Sequence, residues 1–336
     1  MILTYKVKHN SDLKEELKKA VLVAKYALKT KSKSSKDVKH IGLKSVISNQ
    51  ILKKYSSNKK LKRITSVKLT VPSQGLKFEK NLIYISSLKL KIPFSKKHIK
   101  INQIELDDKY AFISCTILED PILNPSSWIG VDLNVTSHCL VASNSKGKVF
   151  KLGKKALHIH KKYKSIRRTL QKKKKYKAVK RIKNKESRIV RDLNHKISNK
   201  IVKEAKKSNS GIVLEDLKGI RNNKKQSKDF KYSLHSWSFY QLRTFIEYKA
   251  KLLGVLVIKI DPHYTSQQCS KCGLLGERNK KIFKCPHCGH VDHADVNASF
   301  VLWRRHLGEI QSILDRDSVE GVLATPLMGN ALTRAT

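Results

Sequence analysis

The sequence is short of acidic residues. Its 336 residues contain 26 Asp and Glu against 72 Lys and Arg, a formal net charge of +46. A charge of this size repels itself in the compact state and calls for a polyanionic partner. Nucleic acid is the leading candidate, because Lys and Arg release condensed counterions when they contact phosphates. The charged surface of a thermophile is the alternative, but such a surface would balance Lys against Glu.

Long apolar runs are also missing. No segment reaches the roughly 18 consecutive apolar residues that a membrane-spanning helix needs. The stretch from Met1 to Lys8 mixes polar and apolar residues, and no apolar core of a signal peptide follows it. Apolar residues still make up 40% of the chain, which is enough to bury a core. We therefore expect a folded, soluble, intracellular protein.

Six cysteines are present, and four of them have the spacing of metal ligands. Cys115 and Cys139 stand singly in apolar stretches and are expected to be reduced core residues. The other four form two Cys-x-x-Cys pairs with twelve residues between them: Cys269, Cys272, Cys285 and Cys288. Disulfides are disfavoured inside a cell, and a redox motif needs only one pair. His287 and His290 could replace a cysteine, but four thiolates complete a tetrahedral site, so we expect one structural Zn²⁺.

Residues 1–120 are predicted to form an antiparallel β-barrel with a helical insertion. A strand at 2–8 is followed by helical spacing at 13–28 and 46–55. Short β-branched runs with a hairpin at Asp107-Asp108 then fill residues 63–118. The helices, at about 10–62, therefore interrupt the sheet after its first strand.

Residues 121–308 are predicted to form an α/β domain. A buried strand at 128–132 is followed by a hairpin at 139–152. Further strands at 212–215 and 255–260 flank an amphipathic helix at 238–253. A hairpin followed by alternating strand and helix predicts a mixed sheet of the RNase H type. Residues 309–336 are predicted to be a partly disordered tail.

Three acids in this domain are candidate catalytic residues. Asp132 and Glu215 end two predicted strands, and Asp295 begins a helix. Phosphodiester hydrolysis uses two Mg²⁺ ions held by convergent carboxylates. Each acid alone could be an ordinary surface residue, and Asp295 could be a helix N-cap. Their joint arrangement in an acid-poor chain favours a magnesium site.

Neighbouring acids are alternatives for this site. Asp216 follows Glu215, but strand alternation places it on the opposite face. Asp292 could support the site from just outside it, and Asp261 is a weaker fourth candidate.

A long basic helical insertion is predicted at about 155–208. Acids are almost absent from it, so pairing of opposite charges along the helix cannot explain the pattern. A solvated helix face is the alternative to a phosphate-binding helical hairpin, which we favour. The expected nucleic-acid-binding residues are Lys172, Lys173, Lys174, Lys175, Lys177, Lys180, Arg181 and Arg188.

The motifs together resemble the TnpB (OrfB) family of insertion-sequence proteins, which is related to the compact type V CRISPR effectors. They are Gly130-Val-Asp132-Leu-Asn134, Leu214-Glu215-Asp216-Leu217, Tyr264-Thr-Ser-Gln-Gln-Cys269-Ser-Lys-Cys272-Gly273, and Cys285-Pro-His-Cys288-Gly289 followed by Asp295-Val-Asn297-Ala298. The resemblance implies a RuvC-like nuclease that is guided by a transposon-derived ωRNA. It would cut double-stranded DNA beside a short transposon-adjacent motif.

The resemblance also implies a layout and partners. Residues 1–120 would be a wedge (WED) barrel with a helical recognition (REC) insertion, and 121–308 a RuvC-like domain with a zinc ribbon at about 264–292. Asp132, Glu215 and Asp295 match the three RuvC acids. A partner transposase encoded by the same element is expected, and the protein would be cytoplasmic in a prokaryote and bound to the nucleoid through DNA.

One departure from the family pattern lies beside the last acid. Family members often carry Asp-Arg-Asp where this chain has His293-Ala294-Asp295. A guide-directed DNA-binding protein without cleavage, acting as a repressor or as an accessory protein of transposition, is an alternative function, and a general RNase H-like nuclease is another. A self-sufficient transposase fits poorly, because no tyrosine or serine recombinase constellation is evident.

Overall fold

The computed structural model describes residues 1–58, 61, 63–134, 138–217 and 239–310. The chain divides into two compact units, Met1–Glu119 and a second unit that begins at Asp120. From residue 311 on, the predicted tail lies outside the described residues. Among the described helices, none is both long and apolar enough to cross a bilayer.

The first unit contains a four-stranded antiparallel sheet. Its strands lie in the order β1-β7-β6-β2. Their bounds are β1 Ile2–Lys8, β2 Leu69–Pro72, β6 Lys100–Leu106 and β7 Tyr110–Thr116. Burial alternates along β7, where Ala111, Ile113 and Cys115 face the core. This period of two is what one buried sheet face requires.

Two helices separate the first strand from the others, as predicted. These are α1 Lys14–Thr30 and α2 Ser45–Ser56, with a short 3₁₀ helix at Ser35–Ile41 between them. A second, three-stranded sheet follows: β3 Leu76–Glu79, β4 Leu82–Ile85 and β5 Leu90–Pro93. The described strands thus pair as two separate sheets and not as one closed barrel. Strand β2, at the edge of the first sheet, ends at Pro72, which has no N–H, and the chain then enters a 3₁₀ turn at Ser73–Gly75.

The second unit is built on a five-stranded mixed sheet. Its strand order is β10-β9-β8-β11-β12. The bounds are β8 Ser127–Leu133, β9 Leu140–Asn144, β10 Val149–Leu152, β11 Ser210–Glu215 and β12 Val257–Ile260. The first three pair antiparallel, whereas β11 runs parallel to both β8 and β12. The prediction of a mixed α/β sheet is confirmed.

Helices cover both faces of this sheet. One face packs against α5 Lys185–Lys207 and α6 Phe239–Leu252, and the other against α7 Ala294–His306. Strand β11 shows the division, because Ile212 and Leu214 belong to the first core and Val213 to the second. A parallel strand buried on both sides is expected to be apolar along its centre, as β11 is from Ile212 to Leu214.

Helix α7 lies unusually close to strand β8. A Cβ atom added at Gly130 would lie 2.0 Å from the carbonyl oxygen of Ser299. A side chain at position 130 would therefore displace the helix. Glycine at this position permits the close approach.

The basic insertion forms three helices. They are α3 Lys155–Lys172, α4 Tyr176–Ile182 and α5. Buried Glu186 at the start of α5 forms an ion pair with Arg167 and a hydrogen bond with His160, both of α3. The predicted hairpin is present, with a short additional helix at its tip.

Candidate active site

Two of the predicted acids lie side by side at the edge of the mixed sheet. Asp132 is the second-last residue of β8 and Glu215 the last residue of β11. Because Leu214 is paired with Val131 in parallel register, the next residues on the two strands are neighbours. The carboxyl ends of parallel strands are a common place for functional residues.

The third acid comes from the helix on the other side of the strand. Asp295 lies in the first turn of α7, which packs against β8, and its side chain is fully buried. Three segments far apart in sequence therefore bring their acids to one region. Sequence reasoning predicted this meeting from two strand ends and one helix start placed in an RNase H-like sheet.

The acids repel each other electrostatically. Burial, reinforced by the negative charges of Glu215 and Asp295, raises the pKa of Asp132 well above its ordinary value. Burial also raises the pKa of Glu215, although a hydrogen bond from Thr265 and the charge of Arg305 oppose that change. Such repulsion would be relieved by a cation, so the hard oxygen ligands present here fit Mg²⁺.

Hydrogen bonds orient two of the carboxylates. Asn134 Nδ2 donates to Asp132 Oδ2 at 2.6 Å. The Thr265 hydroxyl donates to Glu215 Oε1. Asn134 and Thr265 belong to the sequence motifs described above, but their contacts with the acids could not be read from the sequence.

Two basic side chains form ion pairs with the carboxylate of Asp295, the third acid. Arg278 Nη2 lies 3.0 Å from Asp295 Oδ1, and Lys281 Nζ contacts Oδ2. Both cations come from the ribbon, whose short strands are β13 Glu277–Asn279, β14 Ile282–Lys284 and β15 Val291–His293. Sequence reasoning missed them, because nothing distinguishes these two among 72 basic residues.

The alternative acids lie elsewhere. Asp216 ion-pairs with Arg243 of α6 at 3.2 Å, on the opposite side of β11 from Glu215, as alternation predicted. Asp292 accepts a hydrogen bond from the backbone N–H of His293 at 2.6 Å. Asp261 is exposed and accepts one from the backbone N–H of His263 at 2.8 Å. Their contacts are thus with their own surroundings and not with the three candidate acids.

The four predicted cysteines form a compact group that could hold zinc. All of their sulfur atoms lie within 4.8 Å of one another. The Sγ atoms are 3.7 Å apart for Cys269 and Cys288 and 3.5 Å apart for Cys272 and Cys285. Tetrahedral Zn–S bonds of about 2.3 Å imply sulfur separations of about 3.8 Å, so the group fits the ion. No acidic cluster of that compactness is found among the described residues.

Backbone geometry supports each cysteine pair. Gly273 and Gly289 have φ values of +75° and +70°, and their N–H groups donate to the carbonyls of Cys269 and Cys285. Glycine adopts this left-handed conformation readily. Cys115 and Cys139 are buried free thiols, as predicted.

The ribbon is fastened to the helix that carries Asp295. Buried Asn297 accepts from the N–H of Ser270 at 2.9 Å and donates to the carbonyl of Gln268 at 2.7 Å. Arg305, farther along α7, donates to the carbonyl of His263 at 2.8 Å. Hydrogen bonds therefore connect the cysteine ribbon to the helix that carries the third acid.

The predicted nucleic-acid-binding residues form an exposed basic surface. It runs from the end of α3 through the short connection at 173–175 and along α4 to the first turn of α5. Every one of them is exposed: Lys172, Lys173, Lys174, Lys175, Lys177, Lys180, Arg181 and Arg188. We call these eight residues the basic tip.

Fold and site together define the broad class of this chain. It is an α/β protein with acids at the edge of a mixed sheet and a four-cysteine ribbon between the last strand of that sheet and the final described helix. A family model described as the Cas12f1-like TNB domain matches residues 239–302, which span α6, β12, the ribbon and most of α7.

Its relatives are more specific. The chain is 42% identical to a TnpB-like protein of Methanocaldococcus jannaschii over 123 residues. The aligned region covers 36% of this chain and 44% of that protein. It is 43% identical over 110 residues to the CRISPR-associated endodeoxyribonuclease Cas12f1 of Sulfoacidibacillus thermotolerans, covering 32% of this chain and 25% of that protein. These matches confirm the resemblance, so the chain is a relative of TnpB-like and Cas12f1 proteins.

Two further similarities cover more of the chain. A putative RNA-guided DNA endonuclease, InsQ, of Escherichia coli K12 is 27% identical over 202 residues, with 53% of this chain and 49% of that protein covered. A cryo-EM structure of a Cas12f1–sgRNA–target DNA complex gives a TM-score of 0.46 at 18% identity, covering 91% of this chain and 100% of that one. The first two relatives are matched over less than half of their own length.

Proposed function

We propose that this chain is an RNA-guided DNA endonuclease. Asp132, Glu215 and Asp295 would hold two catalytic Mg²⁺ ions, and the four cysteines one structural Zn²⁺. The observation that carries the proposal is the meeting of three acids from separate segments at one sheet edge, in a chain with only 26 acids. The relatives named as TnpB-like proteins and as Cas12f1 endodeoxyribonucleases support the guided-cleavage part.

The proposed layout follows the family. Residues 1–120 would be the WED-like part, with the REC insertion at about 10–62, and 121–308 the RuvC-like part with the ribbon at about 264–292. Three antiparallel strands followed by two parallel ones support an RNase H-like nuclease sheet. The separate pairing of the two N-terminal sheets supports a looser form of the WED-like part than a closed barrel.

The acids would work by binding metal in their ionised form. Bound Mg²⁺ supplies an activated water and stabilises the leaving oxygen. Asn134 holds one oxygen of Asp132 and so fixes the direction of the other. Arg278 lies on Asp295 and also acts electrostatically on Asp132 and Glu215, so it is a positive group beside the place where a phosphate would react.

The basic tip would contact nucleic-acid phosphates. Its eight cations are exposed, and buried Glu186 braces the helices beneath them. Contacts to phosphates position a protein on nucleic acid without reading sequence. The proposed partners are a guide (ω) RNA from the transposon end and double-stranded target DNA with an adjacent motif. A transposase of the same element would be a further partner.

The test is a guided cleavage assay. RNA that co-purifies with the full chain is sequenced, and a matching target is placed beside randomised flanking DNA. We expect Mg²⁺-dependent cleavage that Asp132→Ala abolishes while RNA binding survives. Equal cleavage by the Asp132→Ala protein would disprove the metal site, and cleavage without RNA would indicate a general nuclease.

A guided binding protein without cleavage is the second candidate. It is favoured by one observation, the pairing of Asp295 with both Arg278 and Lys281 beside the altered His293-Ala294. Target binding without nicking at every Mg²⁺ concentration would establish it. In that case the chain would act as a repressor or as an accessory factor of transposition.

A further inference from the structure

A buried hydroxyl reaches one of the proposed metal ligands from the loop that precedes the ribbon. Thr265 is 2% exposed, and its Oγ1 donates to Glu215 Oε1. The same Oγ1 lies 2.9 Å from the carbonyl oxygen of Pro262. A hydroxyl has one hydrogen to donate, and a bond to an ionised carboxylate is stronger than one to a neutral carbonyl. Ionised Glu215 is therefore the preferred acceptor.

Hydrogen bonds connect the loop that carries Thr265 both to the ribbon and to helix α7. The N–H of Gln268 donates to the carbonyl of Tyr264 at 2.8 Å, which closes the turn around Thr265. The fully buried Gln268 side chain donates from Nε2 to the carbonyl of Gly273, the residue directly after the first cysteine pair, at 2.7 Å. Asn297 of α7 holds the carbonyl of Gln268. The position of the hydroxyl is thus set by the ribbon and by the helix of the third acid.

Glu215 needs such a restraint. Its neighbour across the parallel pair is another acid, Asp132, and two like charges push each other apart. A free glutamate side chain would turn away from that neighbour by rotation of its last bonds. The hydrogen bond to Oε1 opposes this rotation and leaves Oε2 available as a ligand atom.

We propose that Thr265 is a positioning residue that fixes the Glu215 carboxylate for binding a divalent cation. The ribbon cysteines, through Gln268, would hold Thr265 in place. This inference rests on the proposed function, because it takes Glu215 as a metal ligand. It assigns to the Thr-Ser-Gln-Gln stretch a role besides linking strand β12 to the ribbon.

Three variants separate the hydroxyl from the shape of the side chain. Thr265→Val keeps the branched shape and removes the hydroxyl, whereas Thr265→Ser keeps the hydroxyl. Ser266→Ala removes the next hydroxyl of the same loop and is the matched control. Zinc content and thermal melting identify any variant that fails to assemble the ribbon. If Thr265→Val fails in this way, Thr265→Ala carries the same expectation.

The readout is Mn²⁺ binding to the RNA-free full chain, followed by the electron paramagnetic resonance signal of free Mn²⁺. Mn²⁺ binding that is lost in Glu215→Gln is assigned to the site that contains Glu215. We expect Thr265→Val to weaken it about ten- to a hundredfold, as for other residues that orient metal ligands, with Thr265→Ser and Ser266→Ala within about twofold of the original chain. The Mg²⁺ concentration for half-maximal cleavage should rise in parallel.

Two results would overturn the inference. Unchanged Mn²⁺ affinity in Thr265→Val would remove the role of the hydroxyl. Equal weakening by Thr265→Ser would assign the effect to the methyl group. If instead Glu215→Gln binds Mn²⁺ and cleaves like the original chain, the metal site itself is wrong, which is a separate failure.

Discussion

At the scale of single residues, the buried carboxylate of Asp132 destabilises the folded chain when no metal is bound. Its pKa is higher in the folded chain than in the unfolded chain, so the folded state binds more protons. Stability is then lost as the pH rises above the unfolded pKa of about 3.9. An acid kept under such a penalty is typical of a functional site.

Asp132→Asn should therefore stabilise the metal-free chain. We expect a higher melting temperature than that of the original chain at pH 8, a difference that shrinks toward pH 4, and no added stabilisation by Mg²⁺. Thermal melts across pH with and without Mg²⁺ check this. Asp216→Asn, which breaks the ion pair with Arg243, is the control and should lower the melting temperature instead. A destabilised Asp132→Asn protein at pH 8 would contradict the electrostatic account.

Arg278 and Lys281 pair with Asp295, so we expect removal of either side chain to destabilise the folded chain. Asp295 is fully buried, so loss of Arg278 leaves its charge with Lys281 alone. Arg278→Ala should lower the free energy of unfolding by about 1–3 kcal/mol, and Mg²⁺ should restore more of it than it adds to the original chain. Denaturant melts with and without Mg²⁺ measure both, with exposed Lys284→Ala as the control. The same Mg²⁺ effect in all three proteins would show that these cations and the metal do not compete.

The sequence predicted which acids and which cysteines come together but not what touches them. Asp132, Glu215 and the cysteines stand in local motifs whose spacing reflects strand ends and metal turns. Arg278 and Lys281 reach Asp295 only through the register of a three-residue hairpin. Register of so short a strand depends on the fold around it, so no local pattern records it.

At the scale of elements, the ribbon acts on the site through the helix it is fastened to. Replacing Cys285 by Ser should release zinc and loosen the contacts of Asn297 with the ribbon backbone, because metal binding and local folding are coupled. We expect loss of zinc by atomic absorption and faster proteolysis within 264–293, with Mg²⁺-dependent activity abolished as well. Cys115→Ala, in the other unit, is the control and should keep its zinc. Full zinc content in Cys285→Ser would exclude a four-thiolate site.

The basic tip can be tested as an element by its salt dependence. Replacing Lys172 to Lys175 by Ala should weaken RNA binding and reduce the slope of log affinity against log salt by about 0.7 for each phosphate that these lysines neutralise. Filter binding at several salt concentrations measures the slope. Four exposed lysines of the other unit serve as the matched control: Lys77, Lys80, Lys96 and Lys97. Equal slopes for the two quadruple variants would show that the tip only adds net charge.

Elements were easier to predict than their assembly. The first strand, both helices after it and all five strands of the mixed sheet were predicted from periodicity, with ends within a few residues. Closure of the N-terminal strands into a barrel was not found among the described strands. Closure depends on hydrogen bonds between edge strands distant in sequence, and apolar alternation reports only which face is buried.

At the scale of the whole molecule, the cations behind the net charge of +46 are placed in two different ways. The basic tip projects cations outward, whereas Arg278 and Lys281 direct theirs inward onto an acid. The first set suits a polyanion that arrives from solution, and the second suits a single buried site. Counting charges in the sequence gives the total and cannot separate these two uses.

The absence of a side chain at Gly130 determines how closely helix α7 approaches strand β8. Position 130 is where α7 rests on β8, and the helix carries one acid while the strand carries another two residues farther on. Gly130→Ala would act as a spacer, because a Cβ atom 2.0 Å from a backbone oxygen must push the helix outward. A displacement of about 1 Å can cost on the order of a hundredfold in rate when reacting groups lose alignment. One added methyl group, two residues from Asp132, would then impair the proposed nuclease activity while leaving all three acids in the sequence.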